Sequence, residues 1–318
     1  MIKKVGIFWR TISDLKPIQL YYRAWFVFSK PMIPRNNDYE LREMTKSFVK
    51  TASKKACMTG PTSWIFFYED GNLEDLGWQN QKRSRLWRYN QHYFDDLNAK
   101  DSGDRVEWHS QIIERWILEN APSVGPGWEP YPTSLRIVNW IKWHLQGNKL
   151  SATSQKSLSI QASWLNKRIE WHILGNHLFV NAKALIYSGL FFKGKEAESW
   201  FHKGMGILSA QVSEQFLPDG GHFELSPMYH SLMLEDLLDL INISMVYPEK
   251  FSQPNVKVQV ADWVDKAKKA LNWLLAMSHP DKKISFFNDA VFGVAPENSE
   301  ILLYAKRLGI ESPKIKSA

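Results

Sequence analysis

Residues 175–230 decide how this chain reads, and two stretches inside them carry the argument: GNHLFVNAKALIYSGLFF, from Gly175 to Phe192, and FLPDGGHFELSPMYH, from Phe216 to His230. In the first, Leu178, Ala182, Leu185 and Ile186 share one face at helical spacing, which predicts a helix entered through Gly175-Asn176-His177. Asn is common at an N-cap, so Asn176 reads as a cap, and His177 as a partly buried histidine bonded to backbone. In the second, a Gly-Gly turn delivers His222 and Glu224 into a loop. Ser226-Pro227 then has the cap-then-proline signature of a helix start, and the first turns bear Tyr229 and His230. A capped helix after a loop needs nothing more. Yet Asp219, His222, Glu224, Tyr229 and His230 together are the titratable types that general acid–base chemistry uses.

Outward from this core the pattern stays helical. Trp108, Ile112 and Trp116 recur every four residues, with Ile113 and Ile117 beside them. Leu135, Val138, Ile141 and Leu145 repeat it, while Trp140 and Trp143 add a second apolar side. Val260, Trp263, Val264, Ala267, Leu271, Leu274 and Leu275 do so again. Helices apolar on more than one side sit between neighbours. Breaks fall at residues 122–132, rich in proline and glycine, at Gly147-Asn148-Lys149, where Ser151 or Thr153 can cap the next helix, and at Pro218-Asp219-Gly220-Gly221. Strand signals are few, at Trp64 to Tyr68 and Lys283 to Phe287. The prediction is an all-α chain of roughly ten helices paired by short connections. Residues 1–60 read as a helical lead-in and 61–318 as the main helical domain.

Composition narrows the partners. Fifteen Trp, eleven Tyr and seventeen Phe supply core rings and also flat surfaces suited to the apolar faces of sugars. A net charge of +7 favours an anionic partner. No basic arm or nucleic-acid motif concentrates it, so nucleic acid is not expected. The single cysteine, Cys57, excludes an internal disulfide. The apolar residues of the first 30 are interrupted by Arg10, Asp14, Lys16 and Arg23, so no secretion signal and no transmembrane segment is read there. The stretch from Ile18 to Phe28 suits an amphipathic helix lying on the domain or on a membrane surface, and the domain is the favoured reading. Nucleotide-loop, HExxH and GxSxG motifs are absent, and the nine histidines lack paired ligand spacing, so neither a cofactor nor a catalytic metal is expected.

A third polar segment, GWEPYPTSLRIVNWIKW from Gly127 to Trp143, places Glu129, Tyr131, Arg136 and Asn139 near the mouth of a helix. Arg136 reads either as a bidentate clamp for a substrate carboxylate or as an ion pair to Glu129.

These three segments, with LWRYNQHYFDDL at Leu86 to Leu97 and FFNDAVFGVAP at Phe286 to Pro296, resemble the heparinase II/III-like polysaccharide lyases and the related toroidal alginate lyases. The likeness is to the members associated with bacterial surface-polysaccharide gene clusters. The resemblance implies an incomplete α/α toroid of helical hairpins, followed in the family by a C-terminal β-sandwich. It implies β-elimination at a uronic acid of an acidic polysaccharide. Asn176 then resembles the residue that neutralises the substrate carboxylate, with His177 beside it as second donor or base. Tyr229 resembles the tyrosine that donates to the leaving oxygen and takes the C5 proton, a role that requires positive neighbours to lower its pKa. His222, Glu224 and His230 are implied as shaping residues, and Tyr131, Arg136 and Asn139 as sugar contacts. The sequence stops at Ala318, where the family enters its β-sandwich, so a separately encoded β-sandwich partner is an expectation. The family often works in the periplasm. Two other readings stay open: a non-catalytic toroid or truncated remnant that binds acidic glycan, and an α/α-toroid glycoside hydrolase using a carboxylate pair such as Asp219 and Glu224.

Overall fold

A computed structural model of the protein describes residues 15–29, 31–32 and 39–311. The rest of the predicted lead-in lies outside these residues. Its described part forms helix α1 (Pro17–Phe28), and residues 39–57 then run as an irregular strap over the main domain. Arg42 ties this strap to the C-terminal end of a core helix through the carbonyls of Leu190 and Phe192, at 3.0 and 3.1 Å. Cys57 lies here, free and only partly buried.

Next comes a small antiparallel sheet, β1 (Met58–Gly60), β2 (Ser63–Phe66) and β3 (Glu69–Asn72), in the order β1-β2-β3. The weak alternation at Trp64 to Tyr68 becomes β2, with Trp64 and Phe66 turned inward. A one-turn helix α2 (Leu73–Leu76) and α3 (Arg85–Tyr93) lead into the hairpin array. The array comprises α4 (Val106–Glu119), α5 (Pro130–Leu145), α6 (Ala152–Lys167), α7 (Gly175–Phe191), α8 (Lys195–Gln215), α9 (Pro227–Val246), α10 (Pro254–Ala276) and α11 (Asn298–Arg307).

Two layers arise because the helices alternate in how much of their surface is apolar. α5, α7 and α9 are buried nearly all round, whereas α4, α6, α8 and α10 bury one side and present polar residues on the other. The inner helices therefore form a core layer and the outer helices clothe it, as in the toroid of helical hairpins that the sequence predicts. α7 and α8 come unusually close. A Cβ on Gly189 would lie 2.5 Å from the Ala197 carbonyl oxygen, and one on Gly204 would lie 2.7 Å from that of Ala182. Larger residues there would force the hairpin apart.

Buried charge also ties the inner layer together. Lys142 of α5 places its Nζ 3.0 Å from Asp239 Oδ2 of α9, and Lys183 of α7 lies 2.6 Å from both Asp239 Oδ2 and Asp236 Oδ1. Burial alone would raise the Asp239 carboxyl, but the two ammonium groups outweigh it and hold it ionised. Tyr304 of α11 donates to the other Asp239 oxygen at 2.9 Å.

Candidate active site

The N-terminal ends of α5, α7 and α9 meet at one place. Tyr131 is the second residue of α5, Asn176 and His177 are the second and third of α7, and Tyr229 is the third of α9. The rings of Tyr131 and His177 lie 4.3 Å apart. Tyr131 and Tyr229 are close enough for charge on the second to raise the first, after burial and Asp236. Three helix N-termini turned to one cleft bring their positive dipole ends to it, and the start of α7, which no side chain caps, leaves backbone N–H groups suited to an anion.

Local backbone sets these side chains. α9 is capped as predicted, with the Tyr229 N–H donating to Ser226 Oγ at 3.2 Å and Pro227 at the first helical position. α7 is not capped by Asn176. Its N-cap is Leu174, at φ +66°, and Asn176 sits one residue inside the helix. The Asn176 amide, half-buried at the cleft, has no side-chain hydrogen bond among the described residues, so it is free to donate to a ligand. Non-glycine residues rarely take positive φ, yet three flank this cleft: Leu174 before Asn176, Leu225 (φ +53°) after Glu224, and Asn288 (φ +54°) before Asp289. Strain of about 1–3 kcal/mol at such a residue persists only where the surrounding structure holds it, and it gathers at functional sites.

His177 has a second partner. Its Nδ1 lies 3.2 Å from Glu170 Oε2, a contact at ion-pair distance but without hydrogen-bond alignment. Glu170 is itself held, its Oε2 accepting from Asn181 Nδ2 at 3.2 Å while its N–H donates to Asn181 Oδ1 at 2.9 Å. Glu224 approaches from the facing loop, and its Oε1 would lie 3.7 Å from a Cβ on Gly175. Burial and then Asp289 push its carboxyl up, with His177 pulling the other way.

The electrostatics of Tyr229 reverse one expectation. Burial first, then the carboxylates of Asp289 and Glu224, push its phenol above the ordinary value. Its neighbours are anionic where a phenolate base needs cations, so the phenol stays protonated and suits an acid.

Four other predicted residues lie elsewhere. Arg136 is fully buried and clamps no ligand. Its Nε donates to Gln161 Oε1 at 2.8 Å, its Nη1 to the Gly127 carbonyl at 2.8 Å, and its guanidinium stacks 3.8 Å over Trp116. Nor does it pair with Glu129, which binds Arg85 and Tyr89 instead. Asn139 is spent on Tyr93 and Asp95, at 2.9 and 2.8 Å. His230 is fully buried, with Nε2 3.0 Å from the Ala270 carbonyl and its ring 4.3 Å from that of Trp273. His222 is fully buried too, with Nε2 3.2 Å from Gln215 Oε1. Burial lowers His230 to about 4 and His222 to about 3, so both are neutral core residues that touch no cleft.

Glu170, Asp289 and Lys54 also act on the cleft residues, though no local pattern in the sequence marks them. Asp289 lies in the quoted stretch FFNDAVFGVAP, and that stretch was its only signal. Lys54 lies in the strap, far away in sequence, with its Nζ 3.1 Å from Asp95 Oδ2, and its charge acts on the Tyr131 phenol against burial and Asp236. No group of three metal-ligating side chains occurs among the described residues, and no helix there is long and apolar enough to cross a membrane.

The inner helices of this helical toroid open onto a polar cleft. The chain belongs to the heparinase II/III family: the family model described as Heparinase II/III N-terminus matches residues 142–301. It is 32% identical over 257 residues to a heparin-sulfate lyase of Bacteroides stercoris, covering 68% of this chain and 37% of that protein. A heparin-sulfate lyase of Bacteroides thetaiotaomicron is 23% identical over 283 residues, covering 80% of this chain and 36% of that protein. The crystal structure of heparinase III shares the fold, with a TM-score of 0.51 at 21% identity over 71% of this chain and 36% of that one. The chain thus spans little more than a third of the length of these relatives.

Proposed function

We propose that the cleft performs β-elimination at a uronic acid of an acidic, heparin-like polysaccharide. The observation that carries this is the meeting of Tyr131, Asn176, His177 and Tyr229 at three helix N-termini. Removing the C5 proton builds charge on the substrate carboxylate, and preorganised donors stabilise that charge best in a water-poor site. The free Asn176 amide and the N-terminal N–H groups of α7 supply such donors. His177, oriented by the buried Glu170, takes the C5 proton. Tyr229, held protonated, gives its proton to O4 as the C4–O4 bond breaks and a C4–C5 double bond forms. Tyr131 and Glu224 wall the sugar, and solvent restores both proton carriers.

The rim beside Tyr229 supports a partner domain. Phe223, Leu225, Phe286, Phe287, Val291 and Phe292 are all at least 36% exposed there, and Phe286 stacks on Phe292 at 5.0 Å. Such a patch is the kind that docks another surface, and we take its occupant to be the β-sandwich that the family resemblance implies. The test is an ultraviolet assay for the new double bond on a uronate-rich polysaccharide, with this chain alone and reconstituted with an adjacent encoded β-sandwich. A rise in absorbance supports elimination. Saturated reducing sugars would mark a hydrolase, and salt-sensitive binding without product would mark a binding toroid.

A further inference from the structure

Helix α1, far along the chain from the cleft residues, lies across the junction that joins α6 to α7, the segment that carries Glu170 and leads into Asn176 and His177. Gln19 Nε2 donates to the His172 carbonyl at 3.4 Å, and Arg168 Nη1 donates to the carbonyls of Phe26 and Ser29 at 3.0 and 2.8 Å. Between them runs a groove of about 390 Å³, inside the range of roughly 300–1,000 Å³ typical of small-molecule sites.

The two walls differ in chemistry. On one, Tyr21 and Trp25 sit one helical turn apart with ring planes 14° from parallel, and both are about half exposed (60% and 47%). On the other stand Lys167, Arg168 and Lys203. Each spends hydrogen bonds on neutral oxygens: Lys167 on the Met32 carbonyl at 2.9 Å, Lys203 on the Asn166 carbonyl and Oδ1 at 2.7 and 3.0 Å. No carboxylate among the described residues pairs with any of the three, and none lines the groove. Nearly parallel aromatic faces opposite unneutralised cations, with the amide of Asn166 and the hydroxyl of Ser29 between, match a sugar bearing carboxylate or sulfate. Its ring C–H faces lie on the aromatic rings, its anion meets the cations, and its hydroxyls meet the polar atoms. A lipid surface would satisfy the cations but leave those polar atoms in the recess unused.

We propose that this groove is a second binding site for acidic saccharide, holding the polymer outside the catalytic cleft. It rests on the acidic-saccharide part of the reading above and not on elimination. The experiment titrates the chain, in a Tyr229→Phe background so that nothing is consumed, with a uronate hexasaccharide, a neutral hexasaccharide and anionic phospholipid vesicles. Two classes of site are expected for the uronate hexamer. Trp25→Ala is expected to weaken one of them about tenfold, the loss of one stacking platform, and Lys203→Ala to weaken the same class and flatten its salt dependence. Tyr21→Ala, on the most exposed of these residues, repeats the test with little risk to the fold. Unchanged binding in all three variants overturns the groove site. Vesicle binding that the hexamer does not displace also overturns it, and reassigns the face to a membrane. Uronate bound only in the cleft sinks this inference alone, whereas no uronate binding anywhere sinks the substrate reading as well.

Discussion

Two sets of polar residues in this chain look alike as letters and behave in opposite ways. Arg136, Asn139, His222 and His230 are buried and spend their polar atoms on neighbours in the fold. Asn176, His177, Glu224 and Tyr229 lie at the rim of the inner layer, partly exposed and short of partners. His222 and Glu224 are two residues apart, yet the first is buried and the second exposed. What separates the sets is which side of the chain each residue occupies, not its type. A polar group with its bonds made contributes stability, while one with bonds left over can bind and react.

Substitutions in the two sets should have opposite effects, on turnover in one and on stability in the other. Tyr229→Phe removes only a hydroxyl at a half-buried position, so its thermal midpoint should match the parent's. Elimination should fall about 10²–10⁴-fold, the usual worth of a positioned acid. Ultraviolet product assays on folded variant check this, and full activity in Tyr229→Phe removes the tyrosine from the mechanism.

Arg136→Ala should do the reverse. It deletes the cation over Trp116, orphans Gln161 Oε1 in the core and leaves the Gly127 carbonyl with only the Thr133 hydroxyl at 3.3 Å. A loss of roughly 3–5 kcal/mol is expected from the cavity and the unpaired acceptor. Turnover per folded molecule should hold. Denaturant unfolding measures the first quantity and titrated active protein the second. A stable variant with failed turnover would return Arg136 to the cleft.

How much of this was legible follows from the same contrast. Periodicity gave the inner helices because an all-apolar surround leaves a signal at every turn, as in Leu178 to Phe191. The start of α9 was legible because Ser226-Pro227 encodes its cap locally. Asn176 misled as a cap because the φ reversal falls at Leu174, a residue with no preference for it. Arg136 misled because one sequence does not show that its side chain runs inward to Trp116, since Arg is seldom buried without a carboxylate. Lys54, Asp236 and Glu170 join the site or its floor only through packing between distant segments, which no local pattern records.

A smaller effect concerns acid stability. His92, His222 and His230 are buried neutral, lowered chiefly by burial to about 3, about 3 and about 4 from an ordinary 6.5. Above pH 6.5 neither folded nor unfolded chain protonates them. As pH falls below that value the unfolded chain takes up protons that the folded chain refuses, so stability present at neutral pH is lost towards about pH 4. Linkage sets the slope at up to about 1.4 kcal/mol per pH unit for each histidine. His230→Gln should flatten the slope by one histidine's share in denaturant titrations run between neutral and mildly acid pH. An unchanged slope would mean that His230 takes up protons equally in the folded and unfolded chains, so that burial does not lower it.

The finest test separates acid from base at Tyr229 itself. Burial raises the phenol first, and the Asp289 carboxylate is the next largest influence. Asp289→Asn removes that charge while keeping the size of the side chain, and leaves in place the backbone oxygen that accepts from Ser226 Oγ at 2.7 Å. The phenol's pKa must then fall, because its ionised form no longer faces a carboxylate. If Tyr229 is the acid, activity depends on its protonated form, and the alkaline limb of the rate profile should move to lower pH with the plateau little changed. If Tyr229 is the base, activity depends on the phenolate, and the same substitution should extend activity towards neutral pH by moving the rising limb down. The pH profile of kcat/KM in parent and Asp289→Asn decides between them, since the two roles move opposite limbs of one curve.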